Sequence, residues 1–143
     1  MKVFAFIVIL ITCDATAALA GPIEDRQALM KSFALPLKDA TSLSRGSIPY
    51  DAALAKSSMA QLSRAAGKLP SLFRKGTEAE GAVKTTASPM IWSDSRGFNT
   101  AAKKFSKDAK IAGGAKDAEA FAAALKTVQG DCGSCHKTYR LQA

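Results

Sequence analysis

The stretch DAEAFAAALKTVQGDCGSCHKTYR, residues 117–140, decides how this chain folds. Ala118, Phe121, Ala122, Leu125, Val128, Cys132, Cys135 and Tyr139 recur three and four apart, the spacing of one buried face of an α-helix. Asp117 stands at its head as a candidate N-cap. The last turns hold Cys132-x-x-Cys135-His136, in which two thiols and an imidazole project from the same face. This is the attachment spacing of a c-type haem: the thiols form thioether bonds to the vinyl groups, and the imidazole reaches the iron. The same spacing also admits a thioredoxin-like redox pair, half of a zinc site, or a disulfide. A dithiol oxidoreductase goes with a β-α-β pattern, and a structural zinc site needs four ligands. The chain has a single His and no second Cys pair, so haem is the favoured reading.

Working back along the chain, three more stretches share the helical period. Met30, Phe33, Ala34, Leu37 and Ala40 form a stripe within residues 23–43, and Pro36 inside it predicts a bend between Ser32 and Pro36. Arg45-Gly46 ends this element, with the glycine suited to a C-terminal cap. A second helix is expected from Pro49-Tyr50-Asp51, capped by Asp51, to about Gly67, with Ala55, Met59, Leu62, Ala65 and Ala66 facing inward. Leu69 to Ala87 reads as a long connection containing Pro70, Gly76 and Gly81, with Leu72 and Phe73 as apolar plugs. The third helix is expected to open at Ser88-Pro89 and to run to Gly113-Gly114, burying Ile91, Phe98, Ala102, Phe105 and Ala109. No strand alternation stands out. Two short connections and one long one make the chain all-α, an antiparallel up-down-up-down four-helix bundle.

Met1 to Ala20 reads as a cleaved secretory signal: Lys2 is followed by an apolar run, and Ala18-Leu19-Ala20 offers a small-x-small cleavage site before Gly21. The run is about ten residues, short of the ~20 that span a bilayer. Cys13 would leave with the signal, so of three cysteines only the motif pair stays in the domain of residues 21–143. The cleaved protein is expected to be exported, with no membrane span. The formal charge of +8 suits acidic partners. The basic residues are scattered and carry no nucleic-acid motif, so no nucleic acid is expected.

With the haem motif at the end of the last helix, the chain resembles the cytochrome c′ family, the class II c-type cytochromes. Further matches are Arg26-Gln27 with Met30-Lys31, Gly46-x-x-Pro49-Tyr50-Asp51, Gly76-Thr77-Glu78, Ser88-Pro89-x-Ile91-Trp92 and Cys132-x-x-Cys135-His136-x-x-Tyr139-Arg140. The resemblance implies one haem c, covalently attached through Cys132 and Cys135 in a four-helix bundle, with His136 as proximal ligand. It also implies haem contacts from Arg26, Gln27 and Thr86, with Arg26 suited to a propionate; the residue-level alternative for Arg26 is an exposed surface arginine. Arg140, one turn after His136, can disfavour protonation of the imidazole or simply be solvated. Pro36, Ala34 and Thr41 depart from the family's habit of small or glycine residues on the first helix. The resemblance allows a homodimer through the first two helices.

Met30 falls at the family's distal position, opposite His136. A methionine there ligates iron in the low-spin members, raising the potential and suiting electron transfer. In five-coordinate members the distal site is open and binds nitric oxide or carbon monoxide. Core filling is the third role open to a methionine. The expectation is a periplasmic electron carrier cycling iron(III)/iron(II), with His136 and Met30 as ligands and redox proteins as partners; the alternative is a gas-binding cytochrome c′. An enzyme is not expected, because the only His is committed to iron and no second ionisable cluster accompanies it.

Overall fold

The computed structural model describes residues 21–78 and 83–141. The signal assigned to residues 1–20, with Cys13, and Gly81 of the long connection lie outside the described residues. The first helix is bent, as Pro36 predicts, into α1 (Pro22–Ser32) and α2 (Ala34–Ser44). Pro36 has no N–H to give the Ser32 carbonyl. The turn tightens instead, Phe33 N donating to Met30 O at 3.3 Å, while Phe33 keeps helical angles (φ −73°, ψ −21°). Ile23 and Arg26 carry the buried face on α1, and Pro36, Ala40 and Leu43 carry it on α2. Met30 and Ala34, expected inside, are exposed, because Leu29 and Phe33 beside them carry the inward face between Arg26 and Pro36. Gly46 closes α2 at φ +68°, with Ser47 N bonded to Ser42 O and Gly46 N to Leu43 O, the hydrogen-bond pair of a Schellman cap.

Asp51 caps α3 (Ala52–Leu72), its Oδ1 accepting from Ala53 N at 2.7 Å and Leu54 N at 3.0 Å. The helix does not stop near Gly67. It continues through Gly67 and Pro70, and the extension buries Leu69, 5% exposed, in the cluster of Ile91, Phe98 and Ala102. The third helix begins as expected, with Ser88 Oγ accepting from Met90 N, but it is interrupted. A short α4 (Met90–Ser93) ends at Asp94, whose backbone leaves the helical region (φ −116°, ψ 53°), and α5 (Ser95–Ala112) starts afresh. α6 (Ala118–Tyr139) is capped by Asp117, which accepts from Ala120 N. Ala118, assigned to its buried face, is exposed in the first turn.

The bent α1–α2 unit, α3, α5 and α6 form the four-helix bundle, with α5 against both α3 and α6, and α2 against the same two. Its buried side chains separate into two clusters. The larger centres on Met59, Leu62, Phe105, Phe121, Leu125 and Val128, with Cys132 packed at its edge. The smaller holds Leu69, Ile91, Phe98 and Ala102, with Leu29, Phe73, Trp92 and Tyr139 against it. Phe73 is the plug expected of it, its ring 5.0 Å from Phe98 and 6.0 Å from Trp92. Among the described residues no helix is long and apolar enough to cross a membrane.

Gly130 sits in the interior of α6, exposed, with nothing within 4 Å of the position a Cβ would take. It therefore weakens the helix without serving a contact. Gly130→Ala is expected to stabilise the protein by about 0.5–1 kcal/mol, read as a higher denaturant midpoint at unchanged slope.

Candidate haem site

Cys132, Cys135 and His136 lie on the last two turns of α6. Cys132 borders the larger cluster and Tyr139 the smaller, so the motif spans the divide between them. Both cysteines are half-buried and unbridged. Burial first, and the charge of Asp131 after it, push the Cys132 thiol up; burial, then Cys132 and Asp131, do the same for Cys135. Thiols kept protonated in this way lack the lowered pKa of a thioredoxin-type nucleophile. Among the described residues no group of three or more His, Cys, Asp or Glu side chains could hold a metal ion. His136 is pushed down, chiefly by burial and secondly by the Arg140 charge, so the imidazole is in the neutral form that binds iron. Arg140 thus acts on His136 in the direction expected from its place in the helix.

The long connection is fastened to α1 and to the end of α6. Arg26 is 4% exposed and not a surface arginine. Its Nε donates to Leu72 O at 2.7 Å, another guanidinium nitrogen donates to Thr77 Oγ1, and the group lies 4.6 Å from the Phe73 ring and 5.3 Å from Trp92. Gln27 Nε2 donates to Lys84 O at 3.0 Å. The two side chains therefore grip both described limbs of the connection. Thr86 reaches the site through its backbone: its carbonyl accepts from Leu141 N at 2.8 Å, and Ser88 N donates to Tyr139 O at 3.0 Å. This short antiparallel pairing lies beside the haem-motif helix end.

Met30 is 38% exposed and belongs to neither apolar cluster. Met59, by contrast, is fully buried in the core, and Met90 is exposed in α4.

Two features of the site escape the sequence pattern. Tyr139 Oη donates to Asp94 Oδ2 at 2.8 Å, while Asp94 Oδ1 accepts from Gly97 N at 3.0 Å and caps α5. Burial, with the Asp94 hydrogen bond second, pushes the Tyr139 phenol up to about 12. The only local signal was an aspartate three residues before a glycine. The second feature is the trio of Asp131 with Lys104 and Asp108, of which only the i,i+4 spacing of the last two could be read.

The donor set fits a covalently attached haem. Two thiols and a neutral imidazole share a helix face between two apolar clusters, and a buried guanidinium stands on α1. A family model described as Cytochrome C′ matches residues 21–140. The cytochrome c-556 of Agrobacterium fabrum (strain C58) is 34% identical over 132 residues, which are 91% of this chain and 88% of that protein. The solved structure of cytochrome c′ from Rhodopseudomonas palustris superposes with a TM-score of 0.78 at 30% identity, covering 86% of this chain and 98% of that one. A structure of oxidised cytochrome c556 from the same organism gives 0.75 at 28% identity, covering 85% and 97%.

Proposed function

The chain belongs to the cytochrome c′ family, and from that premise we propose that it is a periplasmic one-electron carrier with His136 as proximal and Met30 as distal iron ligand. Membership brings a covalently attached haem c, for which Cys132 and Cys135 are the attachment pair. The haem supplies one-electron iron(III)/iron(II) chemistry. Partial burial and the nearby Arg140 charge push the His136 imidazole down, toward the neutral form that binds iron. Arg26 and Gln27 fix the connection against α1, and a propionate contact from Arg26, with flanking contacts from Gln27 and Thr86, is part of the proposal. Residues 1–20 act as the cleaved signal and residues 21–143 form the working domain. The charge of +8 favours acidic redox partners.

The observation that carries the distal assignment is Met30 itself. It is a flexible thioether on α1, four residues after Arg26, outside both apolar clusters and therefore not committed to packing. Optical spectra of purified holoprotein test the reading. Sharp, split low-spin ferrous bands that carbon monoxide does not move support the carrier. A broad high-spin Soret band that shifts with carbon monoxide overturns it in favour of a five-coordinate, gas-binding cytochrome. The intact mass reports cleavage before Gly21 and haem attachment together.

A further inference from the structure

Asp131, directly before the first attachment cysteine, is 8% exposed, although aspartate is almost never fully buried unless paired. Its Oδ1 accepts from Lys104 Nζ on α5, and Lys104 also donates to Asp108 Oδ2 at 2.7 Å. Asp131 Oδ2 is buried with no hydrogen-bond partner. One ammonium thus serves two carboxylates, and the trio keeps one unit of negative charge. The hydrogen bonds that Lys104 donates to Asp108 and Asp131 push Lys104 up, and Lys104 holds Asp108 down, with smaller help from Asp131 and then Lys107, so both stay charged at neutral pH. A half-satisfied buried carboxylate is a poor stabilising device, since an apolar side chain there would avoid the desolvation. Its position gives it a different use. Asp131 directly precedes Cys132, and its charge acts on both attachment thiols, so it stands beside the covalent edge of the haem site.

We propose that Asp131, held by Lys104, is a fixed charge that lowers the reduction potential of the haem. The oxidised iron carries one positive charge more than the reduced iron, and a nearby carboxylate in a weakly polar setting favours the oxidised form. The inference rests on haem attachment at Cys132 and Cys135 with His136 as ligand. It is independent of Met30, because the charge acts in either coordination.

Equilibrium redox titration of the holoprotein tests it. Asp131→Asn is expected to lower the oxidised-to-reduced ratio at fixed ambient potential about tenfold, equivalent to a rise of about 59 mV. Lys104→Met leaves both carboxylates unneutralised and is expected to shift the potential the opposite way, whereas Lys104→Arg leaves it unchanged. Shifts in the same direction for Asp131→Asn and Lys104→Met, the signature of general loosening, overturn the proposal, as does an unmoved potential in Asp131→Asn. Lys104 is exposed, so if Asp131→Asn does not fold, Lys104→Met decides alone: a downward shift supports the inference and any other result overturns it. Spectra recorded alongside separate the two readings. Opposite shifts in a carbon-monoxide-binding protein sink Met30 ligation and keep Asp131; unmoved potentials in a low-spin protein do the reverse.

Discussion

Gly97→Ala is expected to destabilise the protein by about 1–3 kcal/mol, although helix propensity alone predicts a gain of about 1. A Cβ at residue 97 would stand 2.1 Å from Asp94 Oδ2 and 2.5 Å from Tyr139 Oη. Neither atom can retreat freely. Asp94 caps α5 through Gly97 N, and the Tyr139 ring is packed edge-on to Phe98 at 5.3 Å. Relief requires giving up the Tyr139–Asp94 hydrogen bond, the α5 cap, or both, and a lost cap alone costs about 0.5–2 kcal/mol. Denaturant unfolding of the holoprotein measures the loss, with Gly130→Ala as the control that moves the other way. Tyr139→Phe combined with Gly97→Ala completes a double-mutant cycle, in which a coupling near zero shows that the two side chains do not share this contact. A Gly97→Ala protein as stable as the parent overturns the latch. The stakes extend to the haem motif, because Tyr139 follows His136 by three residues and fixes the end of that helix.

The contrast between Gly97 and Gly130 shows where sequence reading reaches its limit. Both are glycines within helices, and the chain around each gives nearly the same local signal. What separates them is the Asp94 carboxylate held in place beside Gly97 by Tyr139, 42 residues away, in one case and open space in the other. Features set by neighbours along the chain were legible: the caps at Asp51 and Asp117, the closing turn at Gly46, the bend at Pro36, and the stripe that runs into Cys132 and Cys135. Features set by distant partners were not. The interruption at Asp94 depends on Tyr139, the extension of α3 past Gly67 depends on Leu69 meeting Ile91 and Phe98, and the burial of Asp131 depends on a lysine from α5. Met30 lies between these cases. Its place on the first helix was legible, but its exposure was not, because it turns on which of the neighbours Leu29 and Met30 meets the smaller cluster, and that is Leu29.

Met30→Ala is expected to convert the holoprotein from a low-spin form indifferent to carbon monoxide into a high-spin form that binds it, and to lower the reduction potential. The direction follows from ligand chemistry: His/Met coordination raises the potential, and removing the thioether withdraws that contribution and opens the sixth position. Met30 is 38% exposed and packs in neither cluster, so its truncation is expected to change the stability of the apoprotein by no more than about 0.5 kcal/mol. A spectral change at nearly constant stability therefore reports lost ligation and not a loosened bundle. Met30→Leu sharpens the distinction, because it keeps an apolar side chain of similar volume and removes only the sulfur. If Met30 ligates, both variants become high-spin. If Met30 only covers the iron face, Met30→Leu retains the parent spectrum and Met30→Ala alone gains carbon monoxide affinity. A low-spin parent that stays low-spin in both variants excludes Met30 as the ligand, whatever its position on α1 suggests. The same pair of variants bears on the bend, since Met30 lies three residues before Phe33, where the helix changes direction. A thioether with three rotatable bonds can adapt to that change in direction, whereas a stiffer β-branched side chain at residue 30 could not.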